Sequence, residues 1–221
     1  MGDLTREIPK PMLKVAGKTL LEHKLDILPE EVGEVIIVVG YLGHIIHDRF
    51  GGEYRGKRML YVEQENPTGG TAEAVWKAKE LLKDRFFVMN GDNLYAADDL
   101  HECMRHEHEW SVLVQKADSI RTGAVQVSDN GLVTAILENS DHDGKAGYAS
   151  TGLYMLDRRL FDYQPVQKAS GSSELGLPQT IVQAAKDIPI HAVPATFWFE
   201  IKAPEDLARA EEALARTDPH A

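Results

Sequence analysis

Apolar positions along the chain follow two rhythms, and their alternation predicts the fold. Residues 19–28 (TLLEHKLDIL) group Leu20, Leu21, Leu25 and Leu28 on one side of a helix. EVIIVVG (34–40) is a continuous apolar run of strand length, the pattern of a parallel strand buried on both faces. YLGHIIHDRF (41–50) reads as a short helix ended by Gly51-Gly52, and RMLYVEQ (58–64) as a strand leading into the loop ENPTGG (65–70). TAEAVWKAKELLK (71–83) carries Ala72, Val75, Ala78 and Leu82 on one stripe and reads as an amphipathic helix. RFFVMN (85–90) is a second buried strand, running into Gly91-Asp92-Asn93. Residues 98–108 are helical with Asp98 as N-cap, and SVLVQKA (111–117) is a strand. Alternating helix and strand of this kind specifies an α/β domain, a Rossmann-like, mostly parallel sheet with helices on both faces.

Beyond residue 117 the rhythm changes. GAVQVSDNGLVTAIL (123–137) is two short strands around Asp129-Asn130-Gly131, a hairpin signal. ENSDHDGKAGY (138–148) is a polar loop and ASTGLYMLD (149–157) a strand. ELGLPQTIVQAAKD (174–187) becomes a helix past Pro178, HAVPA (191–195) and TFWFEI (196–201) are strand-like, and PEDLARAEEALA (204–215) is a helix with Pro204 in its first position. With no linker or repeat in view, the expectation is one domain over 1–215. Its first half, about 1–117, would be the parallel core, a β-rich lobe would span about 118–215, and 216–221 would be a tail.

Composition narrows the functional classes. A formal net charge of −11 argues against a nucleic-acid-binding face, while a small anionic substrate stays open because local lysines and backbone N–H groups can hold a phosphate. The apolar run 35–39 is far short of the roughly 18 residues a membrane helix needs, so no membrane partner is expected. The single cysteine, Cys103, reads as a half-buried thiol without chemistry, and with no signal peptide at the start the expected compartment is the reducing cytoplasm. Nine histidines show no spacing typical of a zinc site, and solvated rings are expected for them.

In open α/β sheets ligands bind beyond the carboxyl ends of the strands. That rule selects the loop after Gln64, Gly91-Asp92-Asn93, and the segment around Glu200. Thr68-Gly69-Gly70-Thr71 runs into a helix, where glycines admit a base or phosphate to the backbone; a plain tight turn would read the same way. Asp92 can hold Mg²⁺, or simply close a turn. Glu200, among Trp198, Phe199 and Ile201, either shares that metal or faces water. Lys10, between Pro9 and Pro11, is either a fixed cation for a phosphate or a solvent lysine.

In this order the stretches resemble the sugar-1-phosphate nucleotidyltransferases, or NDP-sugar pyrophosphorylases, over nearly the whole chain. LTREIPKPMLKVAGKTLLEH (4–23) resembles the block carrying the active-site lysine, which falls on Lys10. QENPTGGTAEAV resembles the base-binding block, placing Gln64, Gly69, Gly70 and Thr71 near the nucleobase, with Gly91 also on the nucleotide. NGDN and FWFEIKAPEDL resemble the metal-binding blocks, with Asp92 and Glu200 as the two carboxylates. Gly123, Glu138, Thr151 and Gly152 fall on sugar contacts. The resemblance implies Mg²⁺-dependent transfer of a nucleoside monophosphate from a nucleoside triphosphate to a sugar 1-phosphate, with pyrophosphate leaving. A homo-oligomer stays open, and no covalent nucleophile is required.

The sequence departs from that pattern. Glu200 stands for an aspartate, Asn139 for a lysine and Lys202 for a glycine. The family's first strand and Gly-rich, arginine-bearing loop would precede Met1, which leads to the expectation of a start at an internal methionine and of weak activity in the chain as written. Two other readings stay open: a non-catalytic member binding a nucleotide or a partner, and a cytidylyltransferase for a phosphorylated alcohol.

Overall fold

The computed structural model describes residues 2–66, 68–120, 123–137 and 144–217. In chain order the elements are β1 (Lys14–Val15), β2 (Lys18–Thr19), α1 (Leu20–Asp26), β3 (Glu34–Val39), α2 (Gly43–Phe50), β4 (Glu53–Tyr54), β5 (Lys57–Glu63), α3 (Gly70–Lys77), β6 (Arg85–Met89), β7 (Asn93–Tyr95) and α4 (Ala97–Met104). There follow β8 (Trp110–Ala117), β9 (Ala124–Val127), β10 (Val133–Leu137), β11 (Gly147–Asp157), β12 (Val166–Gln167), β13 (Leu175–Gly176), α5 (Leu177–Gln183), β14 (Ile190–Pro194), β15 (Trp198–Glu200) and α6 (Glu205–Thr217).

The α/β architecture is present. β3 pairs in parallel with β5, and β8 with β14. β6 and β8 share one direction because both pair antiparallel with β11, which lies between them. This opposed central strand is what the alternation of helix and strand could not reveal. Period-two side-chain placement carries the packing. Leu153 and Met155 of β11 meet Leu100 and Cys103 of α4 on one face. Tyr154 and Leu156 meet Ala72 and Val75 of α3 and Leu177 and Ile181 of α5 on the other.

Two strands differ from expectation. The sequence pattern predicts β3 buried on both faces and β6 buried, yet every residue of β3 is half-buried, as are all but Phe86 in β6. The cause is pairing: among the described residues β3 has only β5 beside it and β6 only β11, so each keeps one open edge. α1 lies across the break, with Leu28 just beyond it packing both on the cluster of β3 and on that of β6.

Helix ends also moved. Thr19 caps α1 in a reciprocal capping box with Glu22. Asp98 is not a cap: Ala96 holds that position, and Asp98 lies inside the first turn of α4. α3 stops at Lys77 rather than 83, and the Arg158 guanidinium bonds the carbonyls of Lys79 and Leu82 in the turns that follow. The hairpin at 123–137 forms as β9 and β10, with Gly131 at φ +79°. Among the described residues no helix is long and apolar enough to cross a membrane.

Candidate active site

Gln64 follows β5 directly and donates its side-chain amide to the Gly70 carbonyl at 3.3 Å. Gly70 adopts φ +85°, and a Cβ there would stand 2.4 Å from the Leu175 carbonyl oxygen, so this position needs glycine on two counts. The Gly69 carbonyl accepts from Leu175 N–H at 2.9 Å, and the Thr71 hydroxyl accepts from Leu177 N–H at 3.0 Å. The expected nucleotide loop is thus laced to β13 and the start of α5, and Gln64, Gly70 and Thr71 face one cleft of about 880 Å³.

Asp92 lies in the turn between β6 and β7. Lys10, placed by a single 3-10 turn between its prolines, donates to the Asp92 carboxylate at 2.7 Å, with both side chains about 30% exposed. β15 pairs antiparallel with β7, which sets Glu200 opposite Asn93, and Ile201 N–H donates to the Asp92 carbonyl at 3.0 Å. The turn carrying Asp92 and the end of β15 carrying Glu200 are therefore held side by side; Glu200 lines the cleft, whereas Lys10 and Asp92 are not among its lining residues. Lys202 donates to Glu200 at 2.8 Å, so each carboxylate already has one ammonium on it.

Lys24 is the residue that sequence reasoning missed. Buried in α1, its ammonium donates at 2.9 Å to the Gly91 carbonyl and at 2.9 Å to that of Asn93, clamping the turn on both sides of Asp92. Burial pushes its pKa down to about 7, against the attraction of Asp92 and with help from Lys10. A signal was available: Lys24 sits four residues after Leu20 on the apolar stripe, where a lysine is out of place unless it is partnered.

On the sugar side, Gly123 (φ +66°) accepts from Ser150 N–H at 2.8 Å, and both line the cleft. Gly152 (φ +76°) occupies an irregularity in β11, where a Cβ would stand 2.2 Å from the Asn90 amide nitrogen. Thr151 contributes backbone: its hydroxyl donates inward to Leu113 O at 2.8 Å, and its carbonyl accepts from Asn93 Nδ2 at 2.7 Å. Asn93 Oδ1, buried at the cleft, has no hydrogen-bond partner among the described residues. Glu138 and Asn139 lie outside the described residues. Cys103 is fully buried, and burial, followed by the charge of Asp99, pushes its thiol up to about 12, which leaves it unreactive.

The fold is found in known structures. A putative glucose-1-phosphate thymidylyltransferase from Bacillus anthracis superposes with a TM-score of 0.82 at 23% identity, covering 100% of this chain and 92% of that one, a likeness of fold. The model of the Nucleotidyl transferase family matches residues 1–217, and the chain belongs to that family. The UTP–glucose-1-phosphate uridylyltransferase AglF of Haloferax volcanii is 28% identical over 221 residues, 96% of this chain and 90% of that protein. The bifunctional protein GlmU of Methanocaldococcus jannaschii is 27% identical over 212 residues, 96% of this chain and 50% of that protein. The chain spans about half the length of such longer relatives.

Proposed function

We propose that this protein transfers a nucleoside monophosphate from a nucleoside triphosphate to a sugar 1-phosphate. One observation carries the reading. Loops far apart in sequence meet at one cleft that Glu200 and Lys202 line, and the turn carrying Asp92, with Lys10 on it, is hydrogen-bonded to the strand end that carries Glu200. Displacement at phosphorus needs positioning and charge neutralisation, which this set offers.

A phosphate oxygen of the sugar 1-phosphate attacks the α-phosphorus; the new P–O bond forms as the bond to the bridging oxygen of the β-phosphate breaks, and pyrophosphate departs. The backbone of Gly69 and Gly70 gives a base flat access, Gln64 offers an amide for its edge, and the Lys10 ammonium meets phosphate charge near Asp92. Gly123 and Gly152 leave room for the sugar. The donor set fits a hard divalent ion: two half-buried carboxylates, oxygen donors both. Asp92 and Glu200 would hold Mg²⁺, which when bound supplies further neutralisation of phosphate charge. The mismatch of Glu200 for aspartate adds one methylene of reach, and Lys202 can swing from Glu200 toward an incoming phosphate.

The experiment is pyrophosphate release with Mg²⁺ over a panel of the four nucleoside triphosphates and the 1-phosphates of glucose, mannose and N-acetylglucosamine, with phosphocholine as an outgroup acceptor. Release with one sugar pair is expected. Nucleotide binding without release for any pair, or release with CTP and phosphocholine alone, would overturn the reading.

A further inference from the structure

A second cluster lies at the other end of the sheet. β8 runs from Trp110 to Ala117; Ala117 lines the cleft, while Trp110 starts beside the cluster, roughly 23 Å away at strand rise. Here the loop between α4 and β8 brings His106 and Glu109 together, and β14, in parallel register with β8, adds His191 opposite Ser111. One ligating atom from each of the three lies within 4.8 Å of the other two. His191 Nε2 contacts the Glu109 carboxylate directly, and His106 Nδ1 stands 4.0 Å from that same oxygen. The rings of His106 and His191 stack at 3.5 Å between centroids and 7° between planes.

We propose that His106, Glu109 and His191 form a binding site for a divalent transition-metal ion of the zinc type, separate from the nucleotidyl-transfer site. Two imidazoles and one carboxylate are a known donor set for Zn²⁺, and water can fill the fourth position because all three side chains are 20–40% exposed. A metal must lie in the plane of each ring that binds it, and two stacked planes cannot share it. One ring therefore turns on binding. His106 is the freer of the two to do so, its side chain being 31% exposed against 22% for His191. The backbone of the α4–β8 loop is already tied down, since the Arg85 guanidinium donates to the carbonyls of Met104 and His106, at 3.3 and 2.8 Å. Burial and the neighbouring ring of His191 hold His106 below the ordinary histidine pKa, which keeps its lone pair available at neutral pH. Bound metal would join the α4–β8 loop to the outermost strand of the six-stranded sheet.

The test is calorimetric titration of the full chain with Zn²⁺ after EDTA treatment, in millimolar Mg²⁺ to occupy carboxylate-only sites. One equivalent bound with micromolar affinity is expected, along with a rise in melting temperature. His106→Ala, a loop substitution, and His191→Ala should each weaken binding at least tenfold and abolish the thermal shift. Asp92→Asn should leave both intact, which separates this site from the active one. Co²⁺ in place of Zn²⁺ should give the visible bands of a four- or five-coordinate ion, lost in His106→Ala. No binding by the wild-type chain, or equal Zn²⁺ uptake by the wild type and a His106→Ala protein with unchanged circular dichroism, overturns the proposal.

Discussion

The Lys10 ammonium sits 2.7 Å from the Asp92 carboxylate across 82 positions of sequence. That pairing fixes a cation at the spot where the proposed reaction gathers phosphate charge. Lys10→Met is expected to lower kcat for pyrophosphate release about 10²–10³-fold, the usual cost of removing one preorganised electrostatic contact. Stability should change by less than about 1 kcal/mol because the pair is partly exposed. Steady-state kinetics beside a urea melt separates the two effects, and a large loss of stability would assign Lys10 to the fold instead.

Glu200 and Asp92 should differ in what they tolerate. Glu200→Gln is expected to raise the Mg²⁺ concentration needed for half-maximal rate about 10–100-fold, as should Asp92→Asn. Glu200→Asp, which keeps the charge on a shorter arm, should lose much less. A Mg²⁺ titration of the rate checks this, and indifference of that midpoint to both Glu200→Gln and Asp92→Asn would remove the two carboxylates from metal binding.

Lys24 makes a statement about pH. Its pKa is about 7 in the folded chain and near 10.5 when unfolded. Between those values the unfolded state binds the extra proton, so stability rises with pH across that window, and the full penalty is present below pH 7. The whole shift corresponds to about 5 kcal/mol, of which roughly 3 falls between pH 6.5 and 9.5. Urea melts at pH 6.5, 8 and 9.5 should show this slope in the wild type and lose it in Lys24→Met. The variant should also leave the Gly91 and Asn93 carbonyls without a donor, at a cost of about 1–3 kcal/mol. An unchanged slope would show that Lys24 stays charged in the fold.

Gly70 and Gly152 share a positive φ and a close neighbour. Gly70→Ala should cost about 2 kcal/mol or more, since the obstacle is a backbone carbonyl that cannot step aside. Gly152→Ala meets a side-chain amide instead, so Asn90 must swing within the cleft. Its stability loss should be smaller and its effect on KM for the sugar phosphate larger. Thermal melts and KM values for the two variants test that ordering.

Much of the fold was legible because the elements are short and their rhythms clean: β9 and β10 turn at Asp129-Asn130-Gly131, and α1 opens on a Thr19–Glu22 box. Asp92 in the turn after β6 and Glu200 at the end of β15 stand in the segments the sequence pattern assigns them, while their role as metal ligands came only with the family resemblance. Antiparallel insertion of β11 was not, since periodicity tells which face a residue takes and not which neighbour a strand finds. The histidines show the same limit. His106 and His191 stand 85 positions apart, and only the parallel register of β14 on β8 brings them together, so no local spacing could announce the cluster. Lys24 hid for a different reason, as its carbonyl partners carry no side-chain signature.

The insertion of β11 between β6 and β8 has a consequence for how the molecule opens. Residues 150–152 of that strand line the cleft, while Tyr154 and Leu156 sit in one core and Leu153 and Met155 in the other. A ligand held against residues 150–152 therefore grips a strand that both cores share. Amide exchange in β6, β8 and β11 is expected to slow together on substrate binding, as one cooperative unit.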